Sequence, residues 1–527
     1  MKHLNIKSND GFLHLSDLPK NCIFNKKITG CGGTTIALKN EINYVIAVPT
    51  TELIVNKIKR TDSGVGVTTF KDGTSVEIFG LFGLFDYQTK KSFKEYLNKD
   101  GVKKIICTYD KLPKLKEYLN PAEYQLLVDE YHSLLKAYSY RYDAINGIFD
   151  CYKDYKSACF MSATPINSDF KPNALKDLEE IEAVWNDIDT LKVKLEYTNK
   201  PYVRAANIIK AYKADGYISI NGIKSYEAFF FINSVNDILK LIEYTDLQPE
   251  DVRIICANTD ANQKKLGRFQ IENSNCPNKK FTFLTCKSFE GVDYESDTAL
   301  CFVVSTASNT HTQASIDTDI PQIAGRIRTA NNPFRKLIIH IFNNTYKDLN
   351  LDVTYNDMKQ AVEDDLNAAN AIVKLFNSVD DEKQRKMLIK SINNKYISTK
   401  NGKFVFYDTL PKLELYNYMV NQVIYKSGLS VKKAYESTGA LTTDAEYNKE
   451  MANFENVIKA SKKLTFKDNY LKALEAKKDG NIFELERLCK EELIRDAIYK
   501  LTPEEIKSVR YTKKGVRELL LNKNSRL

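Results

Sequence analysis

The stretch Cys22-Ile23-Phe24-Asn25-Lys26-Lys27-Ile28-Thr29-Gly30-Cys31-Gly32-Gly33-Thr34-Thr35 runs from a short apolar segment through a glycine-rich turn into an apolar helical run. Between a strand and a helix, such a turn points backbone N–H groups at one spot, and the helix dipole adds positive potential there. Phosphate is the ligand it suits, with Thr29, Gly30, Gly32, Gly33, Thr34 and Thr35 as candidate contacts. Taken alone the signal is weak, because glycine-rich βα turns are common and the usual Gly-Lys-Ser/Thr ending is missing.

Outward from this turn, residues 20–345 alternate short apolar runs with amphipathic stretches, the pattern of parallel strands joined by crossover helices. Strands are predicted at 22–25, 44–48, 104–108, 125–129 and 158–161, then at 228–232, 253–257, 281–284, 300–304 and 337–342. Two sheets of about five strands predict two α/β domains in tandem, at 1–190 and 191–348. From about 350 the pattern becomes helical, as at 358–378, with a hairpin or extended strand expected at 403–407. Residues 349–527 are read as a mainly α-helical accessory domain ending in a basic tail.

Composition narrows the function classes. The chain has 527 residues, 43% hydrophobic and 28% charged, which excludes a disordered tail protein. A net charge of +9 fits a localised basic face, and nucleic acid is the partner it implies first. Its ten cysteines are scattered without CxxC pairs or zinc spacing, so reduced buried thiols are expected. No signal-peptide pattern opens the chain and no apolar window is long enough to span a bilayer, so a soluble cytoplasmic protein with no membrane partner is expected.

A second chemical signal is Val128-Asp129-Glu130-Tyr131-His132 at the end of a predicted strand. Two adjacent acids there suit a divalent metal and a water: one carboxylate holds Mg²⁺ and the next accepts a proton from the attacking water. A solvated strand end is the commoner fate of such a pair. The motif has company in Met161-Ser162-Ala163-Thr164-Pro165, Phe289-Glu290-Gly291-Val292-Asp293 and Gln322-Ile323-Ala324-Gly325-Arg326-Ile327-Arg328. In a chain with 14 arginines against 63 lysines, the pair Arg326 and Arg328 is notable.

Taken in order, these segments resemble the motifs of superfamily two helicases and translocases of the DExH type, with a degenerate Walker A loop. Val48-Pro49-Thr50-Thr51-Glu52-Leu53 looks like motif Ia, and Cys107-Thr108-Tyr109-Asp110-Lys111-Leu112 like motif Ib. Viral or mobile-element proteins, including phage ones, are the relatives suggested. The resemblance implies two tandem RecA-like parallel-sheet domains followed by the helical region, with ATP and Mg²⁺ as cofactors. It also implies Asp129, Glu130, Gln322, Arg326 and Arg328 as catalytic residues, Thr34 and Asp129 as metal ligands, and Asp293 beside the nucleotide. Nucleic-acid contacts are implied at Thr50, Lys57, Thr108, Lys111 and Lys287.

The family's loop lysine, which sits on the β- and γ-phosphates, is Gly33 here. Three explanations stand open: Lys26 or Lys27 reaches back over the phosphates, the arginines supply enough charge, or the protein does not hydrolyse nucleotide. A solvated surface pair is the commoner fate of two such lysines. The resulting expectation is an ATP-dependent nucleic-acid helicase or translocase acting on DNA or RNA. Replication, recombination or packaging proteins are its expected partners. The alternative is a catalytically inactive helicase-like scaffold. Tyr416, Tyr418 and Tyr425, which lie among lysines, are read as core rather than as base-stacking groups.

Overall fold

The computed structural model describes residues 2–8, 10–60, 64–70, 72–186, 189–289, 292–344, 353–391, 396–400, 402–450, 466–478, 485, 488–489 and 491–524. Glu290 and Gly291 of the motif before Asp293, Asn401 of the predicted hairpin, Met451 to Thr465 and the last three residues of the tail lie outside them. The chain divides into two compact units, Met1–Met451 and Ala452–Leu527.

The first unit is mixed α/β, built on two large sheets. The first sheet contains β1 (Lys2–Ile6), β2 (Cys22–Asn25), β3 (Tyr44–Val48), β4 (Lys59–Arg60), β5 (Val65–Thr69), β6 (Ser75–Leu81), β7 (Lys104–Thr108), β8 (Gln125–Asp129), β9 (Ser157–Ser162) and β10 (Glu179–Trp185). Their spatial order is β1-β10-β2-β9-β8-β3-β7-β6-β5-β4, parallel except for β4 and β5 at one edge. The central strands β2, β3, β7, β8 and β9 are buried along their whole length. That accounts for their near-continuous Val, Ile, Leu and Cys character, since helices cover both faces of a parallel sheet. On one face lie α1 (Gly33–Lys39) and α2 (Thr51–Val55), through Ile36, Ala37, Leu38 and Ile54. On the other lie α3 (Tyr87–Leu97), the single turn α4 (Ser133–Lys136) and α5 (Tyr138–Cys151), through Phe93, Leu134, Ile145 and Ile148.

The second sheet is parallel throughout. It uses β11 (Lys192–Thr198), β14 (Glu227–Phe231), β15 (Val252–Ile255), β16 (Phe281–Leu284), β17 (Ala299–Ser305) and β18 (Leu337–Phe342), while β12 (Ile218–Ile220) and β13 (Ile223–Ser225) form a separate hairpin. The order is β15-β16-β14-β17-β18-β11-β21, where β21 (Leu441–Thr442) and β22 (Tyr447–Asn448) both pair with β11. Helices α6 (Pro201–Asp215), α7 (Val235–Tyr244), α8 (Asp260–Leu266) and α9 (Asp319–Ala324) connect these strands. Both sheets are larger than the five strands expected. The missed members are edge or near-edge strands such as β5 and β10, where exposed polar residues break the apolar run, and two-residue strands too short to carry a pattern.

Beyond β18, α10 (Tyr355–Asn377), α11 (Glu382–Ser391), the antiparallel hairpin β19 (Ile397–Lys400) and β20 (Lys403–Phe406), α12 (Thr409–Tyr418) and α13 (Gly428–Ser437) belong to the first unit. A polar cluster at the core ties this segment to the second sheet. The hydroxyls of Tyr435 and Tyr425 lie 2.8 and 3.2 Å from Nδ1 and Nε2 of His340 on β18, and Ser305 Oγ lies 3.1 Å from Nε2. The second unit has its own core, in which α14 (Phe466–Lys478), α15 (Glu492–Lys500), α16 (Pro503–Ser508) and α17 (Lys513–Asn524) pack through Tyr470, Ala473, Ile494, Ala497, Ile506 and Val516. None of the helices among the described residues is long and apolar enough to cross a membrane.

Burial holds His340 neutral, with its pKa pushed down to about 3. Between that value and the ordinary histidine value, only the unfolded chain gains the proton, so stability falls as pH falls through this window. Replacing His340 by Gln is expected to flatten this limb. The stability difference between native and variant chains should narrow by about 2 kcal/mol from pH 7 to pH 5, measured by urea unfolding.

Candidate functional site

Because β2, β3, β8 and β9 are parallel, the turns that follow them open on one edge of the first sheet, where ligands of such sheets bind. The turn after β2 begins at Lys26, whose N–H donates to the Ser162 carbonyl and whose carbonyl accepts from the Trp185 indole, at 2.9 and 3.0 Å. These bonds anchor the backbone of Lys26 between β9 and β10. Its side chain turns inward and is 6% exposed. The ammonium lies 3.0 Å from Glu130 Oε1 and 3.4 Å from Asp129 Oδ1. Lys26 is therefore no solvated residue. Burial works against its charge, but Asp129 and Glu130 outweigh that penalty and raise its pKa above the ordinary lysine value. Lys27 faces outward, with Nζ 2.8 Å from Glu182.

The acids are held from several sides. Thr34 Oγ1 donates to Asp129 Oδ2 at 2.7 Å, and the Tyr109 hydroxyl donates to the carbonyls of Asp129 and Glu130 at 2.7 and 3.1 Å. Glu130 has φ 52°, a left-handed conformation uncommon outside glycine and the kind of strain that concentrates at working sites. Its Oε2 accepts from Ser162 Oγ at 3.3 Å, and His132 Nδ1 lies 2.8 Å from the same hydroxyl.

The second sheet reaches the same carboxylate. Gln322 Nε2 donates to Glu130 Oε2 at 3.1 Å and to Thr164 Oγ1 at 3.2 Å. Arg326 orients the glutamine, with Nη2 donating to Gln322 Oε1 at 2.9 Å, while Nη1 donates to the Val292 carbonyl at 3.0 Å. Arg328 lies against the glycine loop. Its Nη1 donates to the Thr29 carbonyl at 3.3 Å, and its Nη2 pairs with Asp293 at 2.8 Å. Gly30 is required here, since it has φ 72° and a Cβ on it would strike the Arg328 guanidinium. Gly325 is required too, because its Cβ would strike the Thr29 side chain. At Gly33 a Cβ would lie 2.5 Å from Met161 Sδ, so this position is backed by a methionine. Thr35 is half-buried on the first turn of α1.

The residues implied as nucleic-acid contacts have other partners or surroundings. Thr50 caps α2 by accepting from Leu53 N at 3.4 Å, and Thr108 is buried at the end of β7. Lys111 pairs with Asp110 at 2.9 Å, and Lys287 pairs across the cleft with Glu52 at 2.7 Å. Lys57 is half-buried. Desolvation lowers its pKa, and the charges of Asp129 and Asp293 oppose the shift. Sequence reasoning quoted His132, Ser162 and Tyr109 within motifs without giving them a role, and left Lys26 open between reaching over the phosphates and the commoner fate of a solvated surface group. The signal for Lys26 was its place immediately after β2, on the edge where β8 also ends.

Two carboxylates, a hydroxyl and a buried ammonium form a donor set for phosphate and a hard divalent cation, since Mg²⁺ is held by one or two carboxylates plus phosphate oxygens. No protein-family description matches this sequence, and no curated protein resembles it by sequence search. Solved structures similar to it include Mss116p bound to ssRNA and AMP-PNP, 12% identical with a TM-score of 0.40 over 71% of this chain and 79% of that one. A variant of S. cerevisiae dbp5 bound to a gle1 variant and ip6 is 15% identical, with a TM-score of 0.37 over 71% of this chain and 88% of that one. The ATP-dependent Type ISP restriction-modification enzyme LlaBIII bound to DNA is 12% identical, with a TM-score of 0.40 over 86% of this chain and a third (33%) of that one.

Replacing Lys26 by Met leaves Asp129 and Glu130 buried together without their cation. Breaking a buried pair in this way is expected to cost about 3–5 kcal/mol of stability in urea unfolding at pH 7. Adding Glu130→Gln to that variant removes one of the two like charges and should recover part of the loss.

Proposed function

We propose that this chain is an ATP-dependent helicase or translocase of the DExH type acting on DNA or RNA, in which Lys26 takes the place of the loop lysine missing at Gly33. The observation that carries this reading is the Lys26 ammonium against Glu130 and Asp129, with Gln322 of the second sheet bonded to the same Glu130 carboxylate. Residues 1–190 and 191–348 are then tandem RecA-like domains that close on nucleotide.

ATP and Mg²⁺ fit the residues present. Thr29 to Thr35 and Lys26 would hold the phosphates, and Thr34 and Asp129 would hold the metal, as their oxygens already lie 2.7 Å apart. Mg²⁺ would neutralise charge on the phosphate oxygens. Glu130 accepts the proton of the attacking water, and Gln322 with Ser162 fixes the carboxylate for it. Arg326 and Arg328 stabilise charge on the transferred phosphoryl group. The protein acts in the cytoplasm, with replication, recombination or packaging proteins as partners.

The inactive-scaffold reading is favoured by one observation, the methionine that backs Gly33. Phosphate release from ATP and Mg²⁺, with and without single-stranded and duplex DNA and RNA, separates the two. Nucleic-acid-stimulated release is expected, falling by about 10²–10⁴-fold in Glu130→Gln. It should fall strongly in Lys26→Arg, whose planar fork cannot replace a compact ammonium. Gly33→Lys should not raise it. No release from the native chain, with release appearing in Gly33→Lys, would establish the scaffold.

A further inference from the structure

A cavity of about 510 Å³ lies away from the cleft, between the N-terminal half of α5 and the hairpin β19–β20. Four tyrosines line it: Tyr138 and Tyr142 from α5, and Tyr396 and Tyr407 from the two ends of the hairpin. The volume is that of a pocket for one small ligand. Two of the rings are fixed. The Tyr138 hydroxyl donates to Asn146 Oδ1 at 3.0 Å, and the Tyr396 hydroxyl donates to Glu414 Oε2 at 2.7 Å. Tyr142 is 52% exposed.

Asn146 is only 7% exposed, and its Oδ1 accepts from Tyr138. The Asn146 amide as a donor and the Asp143 carboxylate as an acceptor, in one lining with the tyrosine rings, match the edge of a planar heterocycle that both accepts and donates hydrogen bonds.

Arg141, beside Tyr142, donates to the Pro49 carbonyl after β3 and pairs with Asp110 after β7 at 3.7 Å. The start of α5 is thus fastened to the sheet edge where strand ends meet. In sequence it reads Tyr138-Ser139-Tyr140-Arg141-Tyr142, aromatic residues interleaved with a cation, the composition of a stacking platform for unpaired bases.

We propose that this cavity is a nucleobase pocket, in which one unpaired base of single-stranded nucleic acid stacks on Tyr142 and bonds to Asn146. The inference rests on the reading that the chain binds nucleic acid. It adds a base-holding point built jointly by the first sheet's α5 and the later hairpin.

The test is fluorescence anisotropy with the full chain at one fixed salt concentration. The probes are labelled single strands of DNA and RNA of the same sequence, a duplex, and single strands carrying one abasic position at a time. Tyr142→Ala should raise Kd for the single strands by roughly 5- to 150-fold, the worth of one stacked base, and leave duplex binding unchanged. Tyr142→Trp should keep native affinity. One abasic position should weaken the native chain by a similar factor and leave Tyr142→Ala no weaker. The DNA and RNA arms show which strand supplies the base. Native single-strand affinity in Tyr142→Ala, or full weakening of that variant by every abasic position, would overturn the pocket alone. Absence of nucleic-acid binding by the native chain would overturn both the pocket and the reading beneath it.

Discussion

The site depends on one buried cation between two buried acids. Asp129 and Glu130 are neighbours in sequence and both lie almost fully out of water. Two such carboxylates side by side repel strongly in a medium that screens poorly. The Lys26 ammonium, arriving from the far end of the glycine loop, makes their shared burial possible. Desolvating three charges is costly, and the cost is offset because the carboxylate oxygens that Lys26 does not reach find donors in Thr34, Ser162 and Gln322. The strained backbone at Glu130 belongs to the same arrangement, since that residue carries its carboxylate back toward Lys26.

The second dependency is the closeness of the two sheets. Gln322 reaches Glu130, Arg328 lies on the glycine loop, Lys287 pairs with Glu52, and Lys136 of α4 pairs with Asp319 of α9. Two glycines permit the contact, because a methyl group at Gly30 or Gly325 would occupy the space of the opposing side chain. Arg328 thus fills the space beside the loop, four residues after the end of α9. Glu130 senses both sheets through one carboxylate: Oε1 meets Lys26 and Oε2 meets Gln322.

Much of the fold was legible. The strands Cys22–Asn25, Tyr44–Val48, Lys104–Thr108, Gln125–Asp129, Phe281–Leu284 and Leu337–Phe342 lie where their apolar runs place them, because strands buried on both faces have no polar side to interrupt the pattern. Tyr416 and Tyr425 are core, as their helical spacing indicated, whereas Tyr418 is only half-buried, with its hydroxyl donating to the Val353 carbonyl at 2.9 Å. Edge strands such as Val65–Thr69 and the two-residue strand Leu441–Thr442 were not legible, since half-exposed or very short segments carry no distinctive period. Tyr138 to Tyr142 were legible in principle as aromatic residues interleaved with arginine, but their meaning depends on a hairpin about 260 residues further along the chain.

The sequence by itself determined the alternation of buried strands and helices, the glycine-rich turn, and the acids at the end of Gln125–Asp129, because these are local patterns of burial and backbone conformation. It also determined that Gly33 stands where a lysine was expected. Only the tertiary structure decided that Lys26, and not Lys27, is the buried cation. Which of two adjacent lysines turns inward depends on the bonds its backbone makes to Ser162 and Trp185 on flanking strands. Tertiary structure likewise decided that Gln322 meets Glu130 and that Arg328 meets the loop, since polar groups separated by some 190 to 300 residues come together only when the elements that carry them pack around a shared core.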